Sequence, residues 1–148
     1  MERRDEDGIE AAAIAALVPL EGKRVLEVGC GEGRLTALVA AQMVGEHGHV
    51  TGIDMTPEML AKARAAAAEM DAANVEFVES EAEQIPFPDA SFDVVISNGV
   101  VDLIPDKDAV FAEIFRVLTP GGRIQIADVT IQNPVSAEGR RNIDLWTG

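Results

Sequence analysis

Short apolar runs alternate along the chain with segments whose apolar residues recur at helical spacing. The runs are rich in β-branched residues and lie at 25–28, 50–54, 75–79, 92–97 and 123–129. Continuous apolar runs of this length predict buried strands, and their alternation with helices predicts a parallel sheet covered by helices. We therefore expect an α/β fold with a doubly wound parallel sheet.

The segments between these runs predict amphipathic helices. Apolar residues recur every three or four positions at Leu35, Leu38, Val39 and Met43 and at Val110, Ile114, Val117 and Leu118. In residues 57–72 a proline stands in the first turn after Thr56, a predicted helix cap, and an alanine run follows. The Thr-Pro-Gly-Gly sequence at 119–122 should end the last helix and turn the chain into the fifth strand.

Length and pattern together predict one domain over residues 1–148. We divide it into an N-terminal helical segment at 1–21, whose amphipathic part is 9–18, a core at 22–129 and a tail at 130–148. No further strand is evident after residue 129. The chain is therefore expected to stop within its domain.

Charge and composition exclude several classes of function. The formal net charge is −14 at pH 7, which repels a phosphate backbone, so nucleic acid is not expected as a partner. No stretch approaches the roughly 18 apolar residues of a membrane span, and no signal peptide is recognisable, which predicts a cytoplasmic protein without membrane contact. A single cysteine excludes an internal disulfide, and the two histidines lack ligand companions at a recognisable spacing, so no metal site is expected.

A glycine-rich turn follows the first strand directly and precedes a helix. Gly29, Cys30, Gly31 and Gly33 form it, and backbone without Cβ atoms at such a turn lets a nucleotide-like ligand approach closely. The dinucleotide-binding pattern would place its third glycine where Arg34 stands. Cys30 is expected to be a small packed residue rather than a nucleophile.

Acidic residues next to the turn distinguish between ligands. Glu27 in the first strand and Glu32 in the turn would face a pyrophosphate with like charge, whereas they suit a cationic ligand. A carboxylate buried without a partner is costly, so a functional role is favoured for Glu27 over a surface strand end.

The second strand ends at Asp54, about 20 residues beyond the glycine turn. A carboxylate at this spacing accepts hydrogen bonds from ribose hydroxyls and indicates a nucleoside ligand with a free 2′-hydroxyl. Met55 beside it is placed to pack on an adenine face, although simple packing is at least as frequent a role.

Together these features resemble class I S-adenosylmethionine-dependent methyltransferases. The resemblance rests on VLEVGCGEG at 25–33, Asp54, EAEQIPF at 81–87, FDVV at 92–95 and LTPGG at 118–122, and it covers residues 22–129. It implies a Rossmann-like sheet that lacks the last two strands of the full fold.

The resemblance also implies a role for each matching position. The glycine turn would lie along the methionine part of S-adenosylmethionine and Asp54 would hold the ribose. Glu81 and the amide of Ala82 would read the adenine, and Asn98 would lie beside the donor's amino group and the acceptor.

Two further segments resemble the arsenite methyltransferase branch, ISNGVVDLIPDKDAV at 96–110 and DLWTG at 144–148. That branch has a cysteine where this chain has Gly99 and another after the Trp-Thr-Gly motif. Trivalent arsenic needs several thiolates, so this chain alone is not expected to methylate arsenite.

The resulting hypothesis is a methyltransferase core that binds S-adenosylmethionine for transfer to a small-molecule acceptor. The alternatives are a non-catalytic donor-binding module, an inactive fragment of an arsenite methyltransferase-like enzyme, and a nucleotide-binding oxidoreductase. No catalytic residue is identified; Asp102, the one acid just past Asn98, is a candidate base, although a helix or loop cap is favoured as its role. The fifth strand is expected to be a sheet edge, either covered by residues 131–146 or used for self-association into a homo-oligomer.

Overall fold

The computed structural model describes residues 19–128, which form a five-stranded sheet with three α-helices. In chain order the elements are β1 (Arg24–Val28), α1 (Arg34–Gln42), β2 (His49–Asp54), α2 (Pro57–Glu69), β3 (Val75–Glu79), β4 (Phe92–Asn98), α3 (Lys107–Val117) and β5 (Leu118–Ala127). A short 3₁₀ helix, Val101–Leu103, lies between β4 and α3.

All strand pairs are parallel, in the order β3-β2-β1-β4-β5. The chain builds outward from β1 through β2 to β3, then crosses to the other side of β1 for β4 and β5. The carboxyl ends of β1 and β4 therefore form a topological switch point, where open α/β sheets hold their ligands.

The central strands β1, β2 and β4 are buried on both faces of the sheet. On one face Leu26, Val28 and Val95 pack with Val110 and Ile114 of α3. On the other face β1, β2 and β4 pack against α1, and α2 packs through Leu60, Ala63 and Ala67 with Phe77 of β3. These three central strands are buried on both sides, which is why they read as nearly continuous apolar runs in the sequence, whereas the edge strands β3 and β5 carry exposed polar residues.

The predicted α/β class, the sheet and the strand positions are confirmed, with one difference at β5. Its pairing with β4 begins at Leu118 rather than at 123, and the register jumps from Phe92–Leu118 to Val94–Arg123. Residues 119–122 form the irregularity, and Gly121 there has a φ of 79°, which glycine adopts without strain.

The predicted cap at Thr56 is only half correct. Thr56 does occupy the residue before α2, but its side chain makes no cap hydrogen bond; its carbonyl accepts from Met59 and Leu60 instead. The predicted helix at 9–18 and the tail at 130–148 lie outside the described residues. Within residues 19–128, no helix is long and apolar enough to cross a membrane.

Candidate functional site

A cleft opens at the carboxyl ends of β1, β2, β3 and β4, where the glycine turn meets the segments after the other strands. It consists of two cavities that share Gly29 in their walls. The larger, about 490 Å³, lies between the ends of β2 and β3 and the 3₁₀ helix. The smaller, about 310 Å³, lies over the glycine turn and reaches Glu27 and Asn98.

Three glycines of the turn have positive φ, but they meet different surroundings. The φ values are 71° for Gly29, 52° for Gly31 and 71° for Gly33. A Cβ on Gly29 would lie 2.2 Å from Val100, and one on Gly33 would lie 2.4 Å from Ala63. A Cβ on Gly31 would have nothing within 4 Å. Gly29 and Gly33 are therefore required by packing, and Gly31 alone faces open space.

Asp54 ties the glycine turn to the start of α2. One carboxylate oxygen accepts from the Gly31 amide at 3.0 Å and the other from the Thr56 amide at 2.9 Å. An ionised carboxylate offers about four acceptor positions, so two bonds leave capacity for a ligand. The side chain is half-buried and lines the larger cavity.

Glu27 is a buried carboxylate in β1, with 3% of its surface exposed. Its side chain accepts a hydrogen bond from the Thr36 hydroxyl of α1 and also lines the smaller cavity. The expectation that this residue is not a surface strand end is confirmed. Thr36 was not identified from the sequence; a hydroxyl in the first turn of the helix after the glycine turn was the available signal.

Cys30 lies in the glycine turn but points into the protein. It is buried among Leu60, Ala63 and Phe77. Burial, with a smaller contribution from the charges of Glu27 and Asp54, raises the pKa of its thiol to about 12. The thiol stays protonated at neutral pH, so the predicted packing role is confirmed.

The loop after β3 forms one wall of the larger cavity. Ser80, Glu81, Ala82 and Glu83 line it, with Glu81 exposed and Ala82 buried. The Ser80 hydroxyl lies 2.9 Å from the Glu81 carbonyl and 3.0 Å from the Gln84 carbonyl, so it closes this turn locally.

The opposite wall was not predicted from the sequence. It is apolar and comes from the segment after β4, namely Val100, Leu103, Ile104 and Pro105. Leu103 is 60% exposed and Met55, across the cavity, 69% exposed. An apolar run directly after the carboxyl end of a central strand was the available signal.

Asp102 is exposed, and its amide donates to the Asp128 carboxylate at 3.1 Å. A side-chain hydrogen bond with Asp128, with smaller contributions from burial and from the charge of Asp128, raises the pKa of Asp102. The cap of α3 is Asp106, which accepts from the Ala109 amide at 3.0 Å, so Asp102 does not cap that helix and its role as a loop cap stays a prediction. A role for Asp102 as a base stays a prediction.

The walls of the cleft are acidic. Five carboxylates line the two cavities: Glu27, Glu32, Asp54, Glu81 and Glu83. Glu32 is paired with Lys62 at 3.1 Å, and among the lining residues within 19–128 the one long basic side chain is the exposed Arg34. Such a site attracts a cation and repels a pyrophosphate.

Comparison with known proteins places this geometry in a family. A methyltransferase domain family model matches residues 19–146. The chain is 48% identical to an arsenite methyltransferase of Halobacterium salinarum over 136 residues, which are 92% of this chain and 34% of that protein.

Solved structures agree. An arsenic(III) S-adenosylmethionine methyltransferase from Chlamydomonas reinhardtii superposes with a TM-score of 0.78 at 41% identity, over 87% of this chain and 46% of that one. A Haemonchus contortus phosphoethanolamine N-methyltransferase 2, solved with S-adenosyl-L-methionine, gives 0.81 at 26% identity, over 93% and 32%. The chain thus spans between a third and a half of these relatives. It belongs to the class I S-adenosylmethionine-dependent methyltransferases, and arsenite methyltransferases are among the relatives that it resembles.

Proposed function

We propose that the chain binds S-adenosylmethionine in the cleft and transfers its methyl group to a small-molecule acceptor. The observation that carries the proposal is the pair of cavities meeting at Gly29, with Asp54 on the larger and Glu27 and Asn98 on the smaller. A nucleoside with an amino-acid extension has this two-part shape.

The residues present fit such a donor. Gly31, Cys30 and Gly33 would lie along the methionine part in the smaller cavity, with Glu27 and Asn98 near its amino group. Asp54 has acceptor capacity for the ribose, and Glu81, Ala82 and Met55 would surround the adenine in the larger cavity. The open side of Gly31 is the place of closest backbone approach.

Charge supports the donor over a dinucleotide. S-adenosylmethionine carries a sulfonium and an ammonium against one carboxylate and has no phosphate, which matches acidic walls. A pyrophosphate would face Glu27 and Asp54 without a neutralising lysine in the lining of either cavity within residues 19–128.

The bound donor supplies an electrophilic methyl group on a positively charged sulfur. What the chain must add is alignment of a nucleophile with that methyl, which needs little covalent chemistry from the protein. The glycine turn and the wall from Val100 to Pro105 would orient the donor and exclude water from it.

The acceptor is proposed to be a small molecule other than arsenite for this chain alone. Two relatives act on arsenic according to their names. Binding of soft trivalent arsenic needs two or three thiolates, whereas Cys30 is buried in the donor turn with a raised pKa. Incubation with donor, thiol and arsenite should give no methylated arsenic; turnover that Cys30→Ser abolishes would contradict this. Absence of nucleic-acid partners and a cytoplasmic location stay predictions from composition.

The test of donor binding is calorimetric titration with S-adenosylmethionine, S-adenosylhomocysteine and NAD. The first two should bind in the micromolar range and NAD should not. Asp54→Ala should weaken binding by about 1–3 kcal/mol, the range for hydrogen bonds to a charged group. Glu79→Ala is the matched control, because Glu79 ends β3 in register with Asp54 but lines neither cavity.

Unchanged affinity in a folded Asp54→Ala protein would refute the ribose assignment. Binding of NAD in place of the methyl donor would favour the oxidoreductase alternative. Donor binding without methyl transfer to any of a panel of thiol, amine and carbon acceptors would favour the non-catalytic module.

A further inference from the structure

The loop between β3 and β4 carries one wall of the larger cavity but belongs to no helix or strand. It runs from Ser80 to Ser91, and its first four residues line the cavity. Ser80 closes the turn at its beginning. A loop without regular backbone pairing is free to move unless other contacts hold it. The end of the turn near Gln84 therefore needs contacts of its own.

Two charged residues of α3, Glu113 and Arg116, form hydrogen bonds with the backbone of Ile85, which follows this turn. The Ile85 amide donates to the Glu113 carboxylate at 2.8 Å, and the Ile85 carbonyl accepts from Arg116 Nη2 at 2.8 Å. Both polar groups of this residue's backbone are thus bound by one helix, while the Ile85 side chain is buried in the core below it.

Arg116 also forms hydrogen bonds with the next residues of the loop. Its Nη1 donates to the Phe87 carbonyl at 2.8 Å and to the Asp89 carboxylate at 3.0 Å. Its Nε and Nη2 also donate to Glu113 at 2.8 Å each, which fixes the guanidinium on the helix. This ion pair holds the pKa of Glu113 below its ordinary value. A planar guanidinium can serve all these acceptors at once, whereas a lysine cannot.

We propose that Glu113 and Arg116 are positioning residues for the adenine of the donor, acting through Ile85 on the turn formed by Glu81 to Gln84. The inference rests on the proposed donor site. Neither residue lines the cavity, so their effect on binding is indirect. They set where Glu81 and the Ala82 amide stand relative to the opposite wall.

The chain contains a matched pair for comparison. Arg24 and Asp93 form a second hydrogen-bonded ion pair, at 3.1 Å, at the amino ends of β1 and β4. That pair lies at the opposite end of the sheet from the cleft. Breaking it tests the loss of an arginine–aspartate pair without touching the loop after β3.

The experiment measures affinity for S-adenosylhomocysteine and for adenosine in Arg116→Gln, Arg116→Lys and Arg24→Gln. Arg116→Gln should weaken both ligands by about tenfold and by the same factor, because the loss concerns the adenine end. The affinities of Arg116→Lys should lie between those of Arg116→Gln and the unmodified chain. The affinities of Arg24→Gln should stay within about twofold of the unmodified chain.

A double-mutant cycle separates positioning from general loosening. In a Glu81→Ala background, Arg116→Gln should cost much less than in the unmodified chain, since the contact that it positions is already gone. Hydrogen exchange should also speed up at the amides of residues 82–85 and 87 in Arg116→Gln and not in Arg24→Gln. If Arg116→Gln does not fold, Glu113→Gln gives the same readouts, because it keeps an oxygen for the Ile85 amide but loses the charge.

Equal affinity in Arg116→Gln and the unmodified chain would overturn the inference while leaving the proposed function intact. Fully additive losses in the cycle would overturn it as well. Failure of the unmodified chain to bind S-adenosylhomocysteine would instead refute the proposed function, and this inference with it.

Discussion

At the scale of single residues, the glycines of the turn differ in what their missing side chain permits. Gly29 makes room for Val100 and Gly33 for Ala63, so substitutions there would act through packing. Gly31 has a positive φ of 52° and an open side toward the cleft. Its effect on ligand binding is therefore separable from its effect on folding.

Gly31→Ala is expected to abolish or strongly weaken donor binding, because the new methyl group would occupy the place of closest approach. Gly22 is the matched control: its φ is 71° and a Cβ there also has nothing within 4 Å, but it lines neither cavity. Both variants should lose a similar amount of stability, about 1 kcal/mol, from backbone strain. Thermal unfolding and calorimetry check this, and equal donor affinity in the two variants would contradict it.

Cys30 provides a second prediction at this scale. Since its thiol is buried and its pKa is raised to about 12, the folded chain should not react with a thiol reagent at pH 8. The urea-unfolded chain should react completely under the same conditions, because its thiol has an ordinary pKa. Absorbance of the released thiolate follows both reactions; rapid reaction of the folded chain would show that the turn opens.

At the scale of elements, ion pairs join strand ends and helices. Arg24 holds the pKa of Asp93 below its ordinary value through a side-chain hydrogen bond. A carboxyl whose pKa is lowered in the folded state stabilises the fold above its unfolded pKa of about 4, and this stabilisation is lost as the pH falls through the folded value.

The difference in unfolding free energy between the unmodified chain and Asp93→Asn should therefore be present at pH 7 and be lost as the pH falls below the unfolded pKa of about 4 and through the lowered folded value. Its size at pH 7 should stay below about 1 kcal/mol, since Arg24 is half exposed. The two proteins share every charged group except Asp93. Taking the difference therefore cancels the pH dependence that the other acidic and basic groups contribute. Urea unfolding at several pH values tests this, and a difference that grows on acidification would refute it.

At the scale of the whole molecule, β5 forms one edge of the sheet within residues 19–128. Within residues 19–128, β5 pairs with β4 on one side only, and its apolar Ile124 is exposed; Phe111 and Phe115 of α3 are exposed as well. Unpaired strand edges next to apolar surface promote association.

We predict that the isolated chain self-associates through this edge. Ile124→Lys should shift analytical ultracentrifugation profiles toward monomer, because an edge lysine opposes strand pairing. Met70→Lys is the control, since Met70 is also exposed and apolar but follows α2. A monomeric unmodified chain would contradict the prediction; protected β5 amides in that monomer would favour coverage of the edge by residues 131–146, and unprotected ones would contradict both alternatives.

The sequence by itself determined the strands, the α/β class and the half of the cleft that follows strand ends. Residues such as Gly31, Asp54 and Glu81 stand directly after apolar runs, and parallel strands bring their carboxyl ends to one edge, so their meeting followed from the pattern. Their charges also indicated the ligand class, because net charge needs no coordinates.

Only the tertiary structure decided which distant residues complete that cleft. Val100 lies against Gly29 because β4 sits beside β1, an order that apolar runs do not encode. The hydrogen bond from Arg116 to the Ile85 carbonyl joins residues 31 positions apart in the sequence, and it depends on where α3 packs on the sheet. Such contacts are between elements rather than within them, so local hydrophobic pattern, which reports only one element's own buried face, carries no information about them.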